Sequence, residues 1–337
     1  MSVVPPLRRF VSRSIGIARR PGLRGRMSSR VGRSFMLYTS HRRLRCALET
    51  TPPIAVESDT PVVIQTLVDH ELLPMAVGAL KSFLRFFPTK YAVLIHDGGG
   101  LSHADAHFAA RHLPGAHVVP AHEAAATMDS ELRRRGLPGC AAWRSQSLFA
   151  RKIIDMVHYA AGRVTLYMDS DVLCHAYPHE LLASLVASPF VERFNEDTHT
   201  FYGYSLTAEE LARAIGRPVI PHFNAGLVAF QRVPHVSWQR YEQWLGLPHT
   251  DPYLVEQTMS ALDATLNGGE PLSPWSDAAA RHARRGQPIL TQHYLQLRDP
   301  HLSFDFARHV APELRGQMPL TETLSLGVRI RGAEATR

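Results

Sequence analysis

Residues 164–177 read VTLYMDSDVLCHAY. A mostly apolar run, Val164 to Met168, ends in Asp169 and Asp171 with one serine between, and apolar residues resume at Val172. A short run of this kind, rich in β-branched and large side chains, reads as a strand buried on both faces. Two carboxylates so close repel each other unless a cation lies between them. In open α/β sheets, ligands gather at the carboxyl ends of the strands, where this pair falls. Hard divalent ions take oxygen ligands, and Mg²⁺ or Mn²⁺ leaves positions for the oxygens of a substrate phosphate. The plainer alternative is a loop aspartate capping the next helix beside a solvated neighbour.

Upstream, strands and helices alternate. PVVIQTLV from Pro61 is a buried strand, and 72–87 fits a helix with Pro74 in its first turn. YAVLIHDGGG is a second strand emptying into a glycine loop, and Ser102 caps a helix to about Leu113. AHVVP at 116–120 is a third strand, and a long helix is expected over 141–161. This order predicts a mostly parallel central sheet flanked by helices, a Rossmann-like α/β fold. The second half is more mixed. It has a helix at 179–188, a polar and aromatic stretch at 190–205 and a capping box at Thr207 to Glu210. A strand, HFNAGLVAF, follows at 222–230, then helices near 235–246 and 253–266 and a late strand at 288–295.

The 337 residues, 45% hydrophobic, suffice for a sizeable core. The net charge of +7 is unevenly placed: residues 1–48 hold twelve arginines and no acid. Without those twelve, 25 basic residues face 30 acidic ones, a net of −5, so the body carries no nucleic-acid signature. The basic leader reads as a disordered tail over 1–55, a transit peptide, a nucleic-acid- or membrane-touching arm, or the product of a start codon placed ahead of Met27 or Met36. The expected catalytic domain then spans 56–310, with an extension over 311–337. No run reaches the about 20 apolar residues of a transmembrane helix. Three cysteines without C-x-x-C spacing argue for reduced thiols and a cytoplasmic or membrane-peripheral protein.

Other readings of the Asp pair fit less well. A haloacid-dehalogenase phosphatase wants Thr or Val where Leu173 stands and a later acidic pair, and a Ca²⁺ loop wants more acidic positions. His70-Glu71 and His179-Glu180 lack the second histidine of a zincin, and neither G-x-G-x-x-G nor a P-loop occurs. Further candidates are spread along the chain. Asn224-Ala225-Gly226 inside a strand suggests close backbone approach, or else a bulge. His293, near a late strand end, can complete an oxygen-plus-nitrogen metal site. Asp97 closes the second strand, Lys152 lies on the helix before the Asp pair, and Glu256-Gln257 opens an apolar helix. Trp275 is a stacking candidate or a packed loop aromatic.

The order of these features resembles the GT-A glycosyltransferases, the nucleotide-diphospho-sugar transferase superfamily. The closest likeness is to the bacterial branch whose metal motif reads near LDSDVLFF, here Tyr167 to Leu173 with Pro178 after it. RFNED, Arg193 to Asp197, and Tyr204-Ser205 sit where that branch keeps a polar, aromatic segment, and the N-A-G strand is shared with the more distant glycogenin and galactosyltransferase group. The likeness covers roughly 61–300. It implies sugar transfer from a nucleoside-diphosphate sugar, a UDP-sugar first among donors, to a glycan, lipid or small-molecule acceptor. It implies that Asp169, Asp171 and His293 hold Mn²⁺ or Mg²⁺, that Asp97 meets the nucleoside and that Lys152 meets the diphosphate. Asn224, Gly226 and Gln257 would face the sugar or acceptor, with Asn224 and Gln257 in the catalytic set. The galactosyltransferase group follows its late histidine with glycine and lysine; here the run is His293 to Arg298, and Arg298 would stand in. A decayed, non-catalytic relative and a metal-dependent phosphohydrolase are the alternatives.

Overall fold

In a computed structural model, residues 30–86, 91–197, 204–272, 291–294 and 300–316 are described. In chain order the elements are α1 (Arg30–Glu49), β1 (Val62–Val68), α2 (Leu73–Leu84), β2 (Ala92–Asp97), α3 (His103–His112), β3 (His117–Val119), α4 (Ala121–Arg134), α5 (Pro138–Gln146), α6 (Leu148–Ala160) and β4 (Val164–Met168). Then come β5 (Val172–Cys174), α7 (His179–Leu185), β6 (Arg193–Glu196), α8 (Ala208–Ile215), β7 (Phe223–Phe230), α9 (Pro234–Trp244), α10 (Val255–Leu266), β8 (Glu270–Pro271) and β9 (Thr291–His293). The described chain ends with α11 (Pro300–Asp305), a π-helical turn and α12 (Ala311–Leu314). The chain divides into two compact units, Met1–Met36 and Leu37–Arg337. Apart from the start of α1, every one of these elements belongs to the second unit.

Seven strands form one sheet in the order β3-β2-β1-β4-β7-β6-β8. The neighbours β3, β2, β1 and β4 are all parallel, β6 and β8 are parallel, and β7 runs antiparallel to both β4 and β6. This is the mostly parallel, helix-flanked α/β architecture expected. The strand alternation shows why the sequence runs so continuously apolar. Leu166 and Met168 of β4 join Leu227 and Ala229 of β7 in the core under α1 and α2, with Leu44, Leu80 and Phe83. Tyr167 points the other way with Val228 and Phe230, into a second core with Ile154, Trp238 and Met259. A strand whose two faces are both covered needs apolar residues at every position.

The structure differs from expectation in several places. The helix expected over 141–161 is two, broken at Ser147, whose backbone is extended. Serine competes for backbone hydrogen bonds and helps a helix to end. The helix α4 and the four-residue strand β6, which carries a bulge between Phe194 and Asn195, were not anticipated. Helix α1 lies inside the stretch expected to be a tail, and its Leu44 and Leu48 are fully buried. The stretch expected as an extension starts in the core with Ala311, and Glu313 pairs with Arg85 at 2.8 Å.

Candidate metal and donor site

The Asp pair sits where the topology predicts, at the carboxyl end of β4 in the middle of the sheet. Because β7 is antiparallel to β4, its first residues lie beside that end, and the Asp169 amide donates to the Gly226 carbonyl at 2.8 Å. The chain then turns, with the Val172 amide donating to the Asp169 carbonyl at 3.2 Å. It leaves as β5, which pairs with β9 so that Val172 lies opposite His293. The Tyr294 amide donates to the Asp171 carbonyl at 2.9 Å, closing the ribbon. A two-stranded ribbon thus carries a histidine from far downstream to the Asp pair.

Nε2 of His293 lies 3.2 Å from Asp171 Oδ1 and 3.7 Å from Asp169 Oδ2. One ligand atom from each of Asp169, Asp171 and His293 falls within 4.8 Å of the others, the only such group among the described residues. Two carboxylate oxygens and one imidazole suit Mn²⁺ or Mg²⁺, with positions left for outside oxygens. The electrostatics agree. Burial would lower the His293 pKa, yet the two carboxylates outweigh it and raise it. Burial would raise the Asp171 pKa, yet His293 outweighs it and lowers it. A proton on the ring balances the carboxylates where a cation would.

Lys152 lies behind this group, on α6. Its ammonium is 3.2 Å from Asp169 Oδ1, 3.5 Å from Glu256 Oε1 and 4.6 Å from the Tyr167 ring centroid. Burial opposes its charge, but Asp169 and Glu256 together raise its pKa. Burial pushes the Glu256 carboxyl up to about 7, against the pull of Lys152. The Tyr167 hydroxyl donates to Asp169 Oδ1.

Next to His293, Asn224 donates from Nδ2 to Asp197 Oδ1 at 2.8 Å, and its Oδ1 accepts from the Gly226 amide at 2.9 Å. Gln257 donates from Nε2 to Asp197 Oδ2 at 3.2 Å. The close approach expected at the N-A-G strand is that of an imidazole: a Cβ on Gly226 would lie 2.5 Å from His293 Cε1. Asn224, Gly226, Gln257, His293 and the Asp pair therefore come together. Asp97 lies at the end of β2, its Oδ1 accepting from the Gly99 and Leu101 amides at 2.8 and 3.2 Å and holding the glycine loop. Arg298 and Trp275 lie outside the described residues.

Asp197 and Tyr167 were given no role of their own in the sequence reading, and Glu256 was a candidate without an assigned role. Glu256 had a signal, as an acid opening an apolar helix. Tyr167 alternates away from the sheet face that Leu166 and Met168 occupy, which aims its hydroxyl at the strand end. Asp197 had one only as the end of the polar segment RFNED, since the short strand before it was missed.

No protein-family model matches the chain, and no curated protein matches it. Among the solved structures similar to it are glycosyltransferases. The galactosyltransferase LgtC, complexed with donor and acceptor sugar analogues, is 18% identical over 76% of this chain and 96% of its own, with a TM-score of 0.47. Mouse xyloside xylosyltransferase 1 is 13% identical over 72% of this chain and 98% of its own, with a TM-score of 0.45. The glycosyltransferase GlyE of Streptococcus pneumoniae is 10% identical over 78% of this chain and 63% of its own, with a TM-score of 0.47. No described helix is long and apolar enough to cross a membrane.

Proposed function

We propose that this chain is a metal-dependent glycosyltransferase of the GT-A kind that moves a sugar from a nucleoside-diphosphate sugar, with UDP-sugars first in line, to a glycan, lipid or small-molecule acceptor. The observation that carries the reading is the cluster of Asp169, Asp171 and His293 at the carboxyl end of the central strand. Asp169, Asp171 and His293 would hold Mn²⁺ or Mg²⁺. When bound, that cation supplies charge neutralisation for a departing nucleoside diphosphate.

The protein's own residues divide the remaining work. Lys152 sets positive charge behind Asp169, fixed in place by Glu256 and Tyr167 and needing no reorganisation as negative charge develops nearby. Asn224 and Gln257 offer amide groups of fixed orientation, both tied to Asp197, suited to sugar hydroxyls. Asp97 stiffens the Gly98-Gly99-Gly100 loop beyond β2, where a nucleoside would lie. Arg298 is proposed to face the diphosphate.

Thermal-shift titration with a panel of UDP- and GDP-sugars, with and without Mn²⁺, tests the reading, since a ligand that binds the folded state raises its apparent stability. A donor-specific shift is expected only with Mn²⁺, and Asp169→Ala or Asp171→Ala should remove it. No shift with any donor in the presence of Mn²⁺ would sink the proposal. Donor binding without hydrolysis or transfer over an acceptor panel would point to a binding protein on the same fold.

A further inference from the structure

We infer that Asp197 is a positioning residue that selects, through Asn224, the tautomer of His293 able to bind a metal ion. The inference rests on the metal reading of the Asp169, Asp171 and His293 cluster.

An asparagine side chain has one accepting and one donating end. Here its neighbours permit one orientation. Asp197, as a carboxylate, only accepts, and lies 2.8 Å from Nδ2; the Gly226 amide only donates, and lies 2.9 Å from Oδ1. With the amide so fixed, Oδ1 also faces His293 Nδ1 at 3.3 Å. An acceptor there places a proton on Nδ1. The neutral ring then keeps its lone pair on Nε2, the nitrogen that points at Asp171 and Asp169. The hydrogen bond at one imidazole nitrogen decides what the other can ligate.

Asp197 is itself held. It is 7% exposed, follows β6, and its amide donates to the His222 carbonyl at 2.6 Å. Its second oxygen accepts from Gln257, so one carboxylate orients both amides of the site.

The test exchanges the pair. In Asp197→Asn, the new amide can accept from Gln257 with its oxygen only by turning its NH₂ toward the NH₂ of Asn224. Two donors then face each other, and the carboxylate that held the Asn224 amide, and with it Oδ1 against Nδ1, is lost. In the double variant Asp197→Asn with Asn224→Asp, the new amide accepts from Gln257 and donates to the new carboxylate. That carboxylate accepts from Gly226 and from Nδ1, so the named hydrogen bonds are rebuilt in reverse.

Mn²⁺ affinity, read by electron paramagnetic resonance of the free aquo ion, should fall about 10- to 100-fold in Asp197→Asn, the usual range for loss of a partner behind a ligand. It should return to within a few-fold of wild type in the exchanged variant. If wild type binds no Mn²⁺, the metal reading fails. If wild type binds and Asp197→Asn binds equally, or the exchange restores nothing, the positioning role is overturned. Should Asp197→Asn fail to fold, ¹⁵N-histidine spectra of the wild type loaded with diamagnetic Mg²⁺ decide, with His293 assigned by His293→Gln. With the cation bound, a proton on Nδ1 supports the inference and a proton on Nε2 overturns it.

Discussion

The imidazole of His293 packs against Gly226, where a Cβ would come within 2.5 Å of its Cε1 and 2.6 Å of its Nδ1. The glycine is fully inside β7, in the part of the strand that lies beside the end of β4. It makes room for a ring that the β5–β9 ribbon delivers from the opposite side.

Gly226→Ala should therefore displace the His293 ring without straining the strand's own backbone. The expected cost is about 1–3 kcal/mol, the range for a methyl group forced into a filled site. The larger effect should fall on metal binding, because the ring carries Nε2 away from Asp171 as it moves. In thermal denaturation with and without Mn²⁺, the metal-dependent rise in midpoint should be reduced or lost. An unchanged rise would mean that the ring is not held by this contact.

Much of this was legible from local pattern. The strand ending in Asp169 and Asp171 announces itself by an apolar run that stops at two acids, and the fold class follows from strands and helices in alternation. Gly226 was readable as a point of close approach, but not what approaches it. Ser147 shows one limit, since a single extended residue splits a helix whose apolar spacing continues across the break. Asp197 shows another. Its partners Asn224 and Gln257 are 27 and 60 residues away, and no local spacing encodes a hydrogen bond at that separation. Lys152 also shows that position along a helix does not give a side chain's partners. The helix was placed near the Asp pair, but the ammonium is enclosed between Asp169 and Glu256.

His96 makes the fold sensitive to acid. It is 3% exposed, and Nε2 lies 2.7 Å from Gln65 Oε1, while Gln65 Nε2 donates to the Met156 carbonyl at 2.9 Å. With Oε1 thus the acceptor, Nε2 is the protonated nitrogen of a neutral ring. Burial first, then the charges of His117 and Arg144, lower its pKa from 6.5 to about 3. A histidine depressed in the folded state lends stability that is present above its unfolded pKa and is lost as pH falls toward the folded one. Below pH 6.5 the unfolded chain takes a proton that the folded chain refuses, at about 1.4 kcal/mol per pH unit. Urea unfolding of wild type and His96→Gln across pH 7 to 4 should show the variant losing less stability than wild type as pH drops. Parallel curves would show that His96 is not held neutral.

Lys152 and Glu256 should behave as a coupled pair whose balance depends on pH. Lys152 is 7% exposed and Glu256 6%, so Lys152→Met leaves a buried carboxylate without its cation. Breaking such a pair from one side costs about 3–5 kcal/mol. The carboxyl already sits at about 7 against a usual 4.5 because burial outweighs the nearby ammonium, and removing Lys152 raises it further. For an acid raised in the folded state, stability is present below the unfolded pKa and is lost as pH rises toward the folded one. The loss from Lys152→Met should therefore be larger at pH 8 than at pH 5. Adding Glu256→Gln should recover part of the stability at pH 8, since a neutral amide of the same shape needs no counter-charge, and should recover less at pH 5. Denaturant unfolding of the two single variants and the double variant at both pH values gives the coupling directly. A loss from Lys152→Met that is equal at both pH values and untouched by Glu256→Gln would show that the ammonium serves Asp169 alone.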